Sequence, residues 1–439
     1  MDELQRAVVH SIQADTHPSR PAEPALARTI GLIGAIGFGL GAMVGTGVFV
    51  YTGVGAGLAG AAVLLSLVLA GIAAGCNGLA SAELAMHYPR SGGTYEYAGR
   101  LLSPWAGFMA GWLFLAAKTT SAAATAIGFG AYVGSLTSVP PLVASGMLVG
   151  GVTILNFFRL TKAGAVNWVL VAASVAALGA FMLTGVSQVS TERFSPFAPQ
   201  GLHGVLSGAA LLFVAYAGYG RIATLGEEVE NPRRNIPIAL VVSLAFAALL
   251  YIGVTAVAVG SIGADAFALA AKGGAPLQAA AGPRWVKAAL AVGAAAALGS
   301  VFLNLMLGLS RMAFAMGRGA DLPRAFSKVN AASSPYVSVA FVGIVVAALL
   351  AVRNIVGLLS VSAFTVLVYY GLTNLAALRL KRHERLVHPI VPVAGLAFCL
   401  ALALAIPPLQ LAIGAGILGV GVLLRVLWRA TLGRPEGGD

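Results

Sequence analysis

The sequence predicts an all-α polytopic membrane protein with about 12 transmembrane helices, and its composition and charge pattern are the main reasons. Apolar residues make up 59% of the 439 positions and charged residues only 10%, which gives a mean hydropathy of +0.89. A soluble globular chain is about half apolar and about a quarter charged. Such a chain could not cover its own surface with polar groups, so lipid is the expected solvent for most of it.

The apolar residues are grouped into runs that approach the length of a membrane-crossing helix, which needs about 20 mostly apolar residues. The third and eighth runs are long enough to be tilted or to extend beyond the bilayer. The predicted spans cover residues 30–51, 57–80, 102–135, 139–157, 164–187, 204–226, 235–261, 284–317, 333–352, 355–379, 388–404 and 408–428.

The formal charge of +12 comes from Lys and Arg residues that lie between the apolar runs. If the N-terminus is cytoplasmic, twenty of the 27 Lys and Arg residues lie inside and five outside. This bias predicts a cell-membrane protein with both termini in the cytoplasm, residues 1–28 and 429–439 forming the tails. With no basic arm or stripe, the charge does not indicate nucleic acid as a partner.

Enzyme and channel functions find little support in the residue types present. Cys76 and Cys399 lie far apart in apolar stretches, without metal-ligand spacing or a disulfide framework. An enzyme would need a nucleophile with a base or a metal cluster, and a channel would need a selectivity filter. We therefore expect no catalytic residue, no metal and no cofactor.

Two spans carry glycine clusters near their middle, at Gly45–Gly47 and Gly218–Gly220. Glycine weakens a helix by about 1 kcal/mol per residue relative to alanine, so these clusters permit the backbone to unwind. Unwound backbone within a membrane is tolerated only where its polar groups face protein or a wet cavity. We therefore predict that helices 1 and 6 are broken. For Gly31, Gly34 and Gly37, close helix packing is the favoured interpretation.

Five spans lie between the start of one broken helix and the start of the other. Because five is odd, the second five-helix unit enters the membrane from the opposite side. Residues 29–187 and 204–379 are thus predicted to be two inverted repeats, and residues 388–428 to add two C-terminal helices. Interrupted helices at matching places of inverted repeats indicate a transport site near the midplane of the bilayer.

Four stretches occur in a characteristic order: Gly45–Phe49, Ala82–Tyr97, Phe213–Pro237 and Ser310–Pro323. They resemble motifs of the amino acid–polyamine–organocation transporter superfamily. The resemblance covers roughly residues 30–325, and its motifs are specific as an ordered set. It implies a leucine-transporter-type fold of five plus five helices, alternating access, and an α-amino acid or related amine as substrate.

The resemblance also implies a substrate site at the two breaks. Backbone amides near Gly45–Gly47 would receive the substrate carboxylate, and carbonyls near Met43 and Tyr216–Gly218 would receive its ammonium. Apolar side chains around the breaks would form the walls, with one aromatic lid. The predicted substrate-binding residues are Ala42, Met43, Gly45, Thr46, Gly47, Tyr216, Ala217, Gly218 and Tyr219.

Lys118 lies near the middle of the third span, where a charged lysine costs from about 3 to over about 10 kcal/mol. A buried lysine can lose and regain its proton, so Lys118 could couple transport to a proton gradient. It could also replace a bound sodium ion with a fixed charge. The alternative is a structural tie, in which the ammonium bonds to carbonyls exposed by a broken helix.

The predicted function is secondary active transport of small or medium neutral amino acids, with the proton as coupling ion. Cationic side chains would be poorly received, because the spans contain no buried carboxylate and Lys118 adds a cation. An exchanger of amines or cationic amino acids is the alternative, and the oligomeric state stays open. Arg221, Glu227 and Glu228 are predicted gating residues; at Gly220 and Arg221 this chain departs from the acid that many superfamily members carry.

Overall fold

The computed structural model describes residues 30–88, 92–158, 164–224, 229–331, 333–381 and 385–432. Within these ranges the chain is helical, and the one β-type pairing is a single parallel bridge between Ile30 and Val229. Each of the twelve predicted segments overlaps a helix or a helix interrupted by an irregular turn, and the second, predicted over 57–80, is instead a helix over Val63–His87.

The first half of the described chain begins with the interrupted span, which consists of α1 (Leu32–Met43), a π-helical turn (Gly47–Tyr51) and α2 (Thr52–Ala59). This span extends beyond its predicted end at residue 51, because the chain turns only at Gly60, where φ is +64°. The other helices of this half are α3 (Val63–His87), α4 (Thr94–Leu101), α5 (Pro104–Gly134), α6 (Pro141–Asn156) and α7 (Gly164–Gly185).

The second half contains the other interrupted span and the C-terminal helix pair. Two short helices, α11 and α12, lie between the seventh and eighth spans and were not predicted from the sequence. The helices are α8 (Gly201–Tyr216), α9 (Gly220–Thr224), α10 (Pro232–Ile262), α11 (Ala264–Lys272), α12 (Pro276–Ala280), α13 (Arg284–Arg318), α14 (Tyr336–Leu349), α15 (Ile355–Leu378), α16 (Ile390–Leu404) and α17 (Pro408–Leu432).

Seven helical stretches of the described chain are long and apolar enough to cross a membrane, and three further apolar helices are shorter. Helix α5 has 31 residues but is not among the seven, because its Gly, Ser and Thr residues and Lys118 lower its hydropathy. This is the composition of a multi-pass helical membrane protein, and the count of about twelve crossings stays a prediction.

Small residues bring the first span against the fifth and position its break in the interior. A Cβ atom added to Gly37 would lie 2.4 Å from the ring of Trp168, and one added to Gly41 would lie 2.1 Å from the Asn167 side-chain oxygen. The amide of Asn167 donates to the Gly37 carbonyl at 3.0 Å. These contacts are the close helix packing that was favoured for Gly37.

Candidate functional site

The first span loses its regular helix within a fully buried stretch. Helix α1 ends at Met43, and the next residue, Val44, has extended backbone with ψ of 91°. The chain resumes with the π-helical turn Gly47–Tyr51, all of whose residues are buried. π-Turns are rare, and they occur frequently at functional sites.

The sixth span is interrupted by one 3₁₀ turn, Ala217–Tyr219, between α8 and α9. This turn lies directly against the break in the first span. A Cβ atom on Gly218 would lie 2.4 Å from the carbonyl oxygen of Ala42 and 2.8 Å from the Met43 side chain. Only glycine permits this approach, so the structure brings together Ala42, Met43 and Gly218 from the predicted set.

The glycines of the first break also allow neighbouring helices to approach. A Cβ atom on Gly45 would lie 2.5 Å from the Val301 side chain of α13. One on Gly47 would lie 2.6 Å from the hydroxyl of Tyr251 in α10. The predicted residues Gly45 and Gly47 therefore have no room for a side chain. Only their backbone groups are available for contacts at the break.

Hydroxyl groups join the first break to α5. The hydroxyls of Thr46 and Thr125 are 2.8 Å apart, and Thr125 itself donates to the Ser121 carbonyl at 2.8 Å. Since each hydroxyl has one proton, Thr46 is the donor and Thr125 the acceptor in their contact. One turn further along, the Tyr51 hydroxyl lies 3.4 Å from the Ser121 hydroxyl.

Tyr251 connects both interrupted spans from α10. Its side chain is fully buried, and its hydroxyl lies 2.7 Å from the Met43 carbonyl oxygen and 3.2 Å from that of Ala215. Its ring centroid is 5.1 Å from that of Tyr216. The Met43 carbonyl, one of the groups predicted to receive a substrate ammonium, is thus hydrogen-bonded to a side chain of the protein.

Along helix α5, Lys118 lies between Phe114 and Ser121, and both of these side chains contact other spans. One turn before it, the ring of Phe114 packs 5.6 Å from that of Tyr369, and almost one turn after it is Ser121. The Lys118 side chain is partly exposed. Among the described residues, none accepts a hydrogen bond from its ammonium. The coupling role and the structural tie both stay predictions for Lys118.

The predicted aromatic lid, Tyr219, is fully buried and packs on α15. Its ring centroid lies 5.3 Å from that of Tyr370, which also contacts Phe213 at 5.6 Å and Tyr369 at 5.0 Å. The lid candidate is therefore part of an aromatic cluster that joins the sixth and tenth spans.

The predicted gating residues are only partly within the described chain. Arg221 lies in α9 and is partly buried, whereas Glu227 and Glu228 lie outside the described residues. Just after them, the backbone N–H of Glu230 donates to the Ile30 carbonyl at 2.9 Å. The chain that follows the sixth span is thereby tied to the beginning of the first.

A charged cluster that was not predicted from the sequence lies at the end of the bundle that holds α4 and the end of α17. Arg425 and Asp321 form a largely buried ion pair, and the Tyr95 hydroxyl donates to Asp321 at 2.9 Å. The Arg425 guanidinium also lies 4.7 Å from the centre of the Phe108 ring. Burial raises the pKa of the Tyr95 hydroxyl, so it stays protonated and able to donate. These residues line a cavity of about 470 Å³.

The site residues missed from the sequence are hydroxyl-bearing residues inside apolar spans: Tyr251, Thr125, Ser121 and Tyr370. Polar side chains at membrane depth are a usable signal, since they need a partner. The signal is ambiguous, however, because many such hydroxyls bond to their own helix, as Thr52 does with the Val48 carbonyl at 2.8 Å. The packing of the spans decides which hydroxyls contact another span and which bond only to their own helix.

Known transporters and permeases are similar to this chain over most of its length. A family model described as amino acid permease matches residues 30–421. An uncharacterised transporter of Mycobacterium tuberculosis is 39% identical over 415 residues, 92% of this chain and 93% of its own length. The branched-chain amino acid permease of Bacillus subtilis is 28% identical over 424 residues, 90% of this chain and 91% of its own. The chloroplastic cationic amino acid transporter 9 of Arabidopsis thaliana is 32% identical over 332 residues, 70% and 58% respectively.

Proposed function

Because this chain belongs to the amino acid permease family of the amino acid–polyamine–organocation superfamily, we propose that it is a secondary active transporter of small or medium neutral amino acids. The family consists of membrane transporters, so the chain is a transporter and not an enzyme. The observation that carries the proposal is the contact of the two interrupted spans, in which Gly218 lies against Ala42 and Met43.

The substrate would bind between the ends of these half-helices. The first N–H groups and the last carbonyl groups of a helix have no partner within it, and they carry partial positive and negative charge respectively. Amides near Gly45–Gly47 would hold the carboxylate, and carbonyls near Met43 and Tyr216–Gly218 would hold the ammonium. Ala42, Ala217 and Tyr219 would bound the substrate side chain, and alternating access would follow from movement of one repeat against the other.

A neutral side chain fits the contacts at the breaks best. The contacts described there come from carbonyls, hydroxyls and aromatic rings, and Lys118 would add a positive charge within the neighbouring helix α5. A cationic side chain would need a compensating carboxylate in such an interior. One relative is a branched-chain amino acid permease, which supports this proposal. Another is a cationic amino acid transporter, so exchange of amines or cationic amino acids is the alternative function.

We assign the coupling role to Lys118 and the proton. A lysine residue that is partly exposed, and for which no described carbonyl accepts a hydrogen bond, would be able to exchange its proton with water that enters the transport path. Sodium coupling is less favoured, because the only uncharged polar side chains of α13 are Ser300, Asn304 and Ser310, which provide few oxygen ligands.

The proposed arrangement in the membrane follows the charge bias of the sequence. Both termini would lie in the cytoplasm of a cell with this protein in its plasma membrane, and residues 29–187 and 204–379 would form the inverted repeats. Residues 388–428 would add two helices outside the repeats. Arg221, Glu227 and Glu228 would act in gating at the cytoplasmic side.

Uptake competition tests the substrate class. In proteoliposomes that contain the purified protein, uptake of labelled alanine should saturate and be suppressed by excess unlabelled leucine. Excess arginine should leave most of the alanine uptake intact, because its guanidinium would be buried without a carboxylate partner. Saturable arginine uptake that exceeds alanine uptake would contradict the neutral-cargo proposal and favour the exchanger of cationic amino acids.

A further inference from the structure

The Met43 carbonyl lies at a place where an unpaired polar group is costly. It belongs to the last residue of α1, and the last carbonyls of a helix lack partners within that helix. The surroundings are buried, so the group needs a donor from elsewhere. The structure supplies one in the hydroxyl of Tyr251, at 2.7 Å.

The same hydroxyl has a second acceptor within reach. The Ala215 carbonyl, close to the end of α8, lies 3.2 Å from it. A tyrosine hydroxyl has one proton and can donate to only one of these carbonyls at a time. The shorter distance assigns the hydrogen bond to Met43, and a small rotation of the hydroxyl proton would transfer it to Ala215.

We infer that Tyr251 is a positioning residue whose hydroxyl competes with the substrate ammonium for the Met43 carbonyl, an inference that rests on the proposed function. Without substrate, the hydroxyl holds this carbonyl and keeps the end of α1 paired. When an amino acid binds, its ammonium takes over the carbonyl and the hydroxyl donates to Ala215 instead. An ammonium wins this competition because charge-assisted hydrogen bonds are roughly twice as strong as neutral ones.

The exchange of partners links the two interrupted spans. Loading moves one hydrogen bond from the first span to the sixth, and release of the substrate moves it back. The Met43 carbonyl and the Tyr251 hydroxyl therefore each keep a partner in both conditions, which is what a membrane interior demands. The absence of a side chain at Gly47 leaves room for the hydroxyl, since a Cβ atom there would lie 2.6 Å from it.

The variant Tyr251→Phe tests this inference, because it removes the hydroxyl and retains the ring. Its matched control is Tyr132→Phe: Tyr132 is also fully buried, and its hydroxyl donates at 2.9 Å to the Phe49 carbonyl, beyond the break. Equilibrium binding of labelled alanine is measured for the native protein and for both variants in detergent. Net uptake and alanine–alanine exchange are then measured in proteoliposomes.

The expected result is that Tyr251→Phe binds alanine about threefold more tightly than the native protein, because the substrate-free carrier loses the 2.7 Å bond to Met43 and the loaded carrier loses only the longer, weaker one to Ala215. Exchange should be retained while net uptake falls, since only net uptake requires return of the substrate-free carrier. Tyr132→Phe should not tighten binding. Unchanged or weaker alanine binding by Tyr251→Phe, with exchange and net uptake falling together, would overturn the inference and leave Tyr251 a structural residue.

Two further outcomes are informative. If Tyr251→Phe is unstable, its thermal unfolding is followed with and without saturating alanine. A smaller loss of stability with alanine than without it supports the inference, because the loaded carrier loses only the weaker bond to Ala215, and an equal loss in both conditions overturns the inference. If the native protein binds no neutral amino acid, the proposed function itself fails, and this result is separate from any difference between native protein and variants.

Discussion

At the scale of single residues, the site depends on positions where a side chain is absent. Gly218 has neighbours so close that an added methyl group would meet backbone rather than a flexible side chain. The glycine clusters were visible in the sequence, and they located both interruptions. What they contact could not be predicted, because the partner of each glycine lies in a different span.

The variant Gly218→Ala should abolish most transport. Its Cβ atom would lie 2.4 Å from the Ala42 carbonyl oxygen, and overpacking of a well-packed interior costs about 1–3 kcal/mol. We expect alanine uptake to fall at least about tenfold. The control is Gly146→Ala in α6, where no atom lies within 4 Å of the added Cβ. Equal uptake by the two variants would mean that contact between the breaks is not required.

At the scale of helices, the sequence predicted long apolar elements well and short amphipathic ones poorly. The spans follow from the length of apolar runs, which depends on the bilayer alone. Helices α4, α11 and α12 have eight, nine and five residues, and their stability depends on packing against the bundle. Their sequences therefore resembled connecting loops.

The attachment of α17 was likewise invisible in the sequence. Arg425 is one of the twenty Lys and Arg residues that the charge bias predicts to lie on the cytoplasmic side. It is 4% exposed and forms an ion pair with Asp321, which follows α13. The C-terminal helix, which lies outside the two predicted repeats, is thus fastened to the core by a charged contact. Such a pairing between residues 104 positions apart needs the fold to be known.

Removal of Arg425 should lower stability, because it leaves Asp321 buried without its cation. Loss of one partner of a buried ion pair costs about 3–5 kcal/mol, so Arg425→Gln should lower the thermal unfolding midpoint in detergent by several degrees. The control is Arg100→Gln, which breaks the more exposed pair of Arg100 with Glu96 and should cost at most about 1 kcal/mol.

Joint replacement of the pair completes this test. The double variant Arg425→Met/Asp321→Leu should recover much of the lost stability, because apolar replacement of both partners is often neutral. A single variant Arg425→Gln as stable as the native protein would show that the ion pair does not fasten α17.

At the scale of the whole molecule, the amino acid permease family accounts for the ordered motifs, the interrupted spans and the multi-pass helical architecture. The repeat boundaries and the orientation remain proposals that rest on spacing and charge. Lys118 is the feature that composition singled out most directly, since charge at membrane depth is rare. On α5 it lies three residues before Ser121, whose hydroxyl is 3.4 Å from that of Tyr51 in the first span.

The measurement that tests the central claim most directly is uptake of labelled alanine into proteoliposomes with an imposed inward proton gradient. Native protein and Lys118→Ala are compared, with Lys272→Ala in α11 as a control for loss of a lysine outside the spans. If one proton accompanies each alanine, a gradient of about one pH unit can sustain about tenfold accumulation, because it supplies about 1.4 kcal/mol.

We predict gradient-driven accumulation by the native protein and by Lys272→Ala, and its loss in Lys118→Ala. Alanine uptake that is indifferent both to the gradient and to the change at Lys118 would contradict proton coupling through this residue. Lys118 would then be a structural residue, and the transporter would work by exchange or by facilitated diffusion.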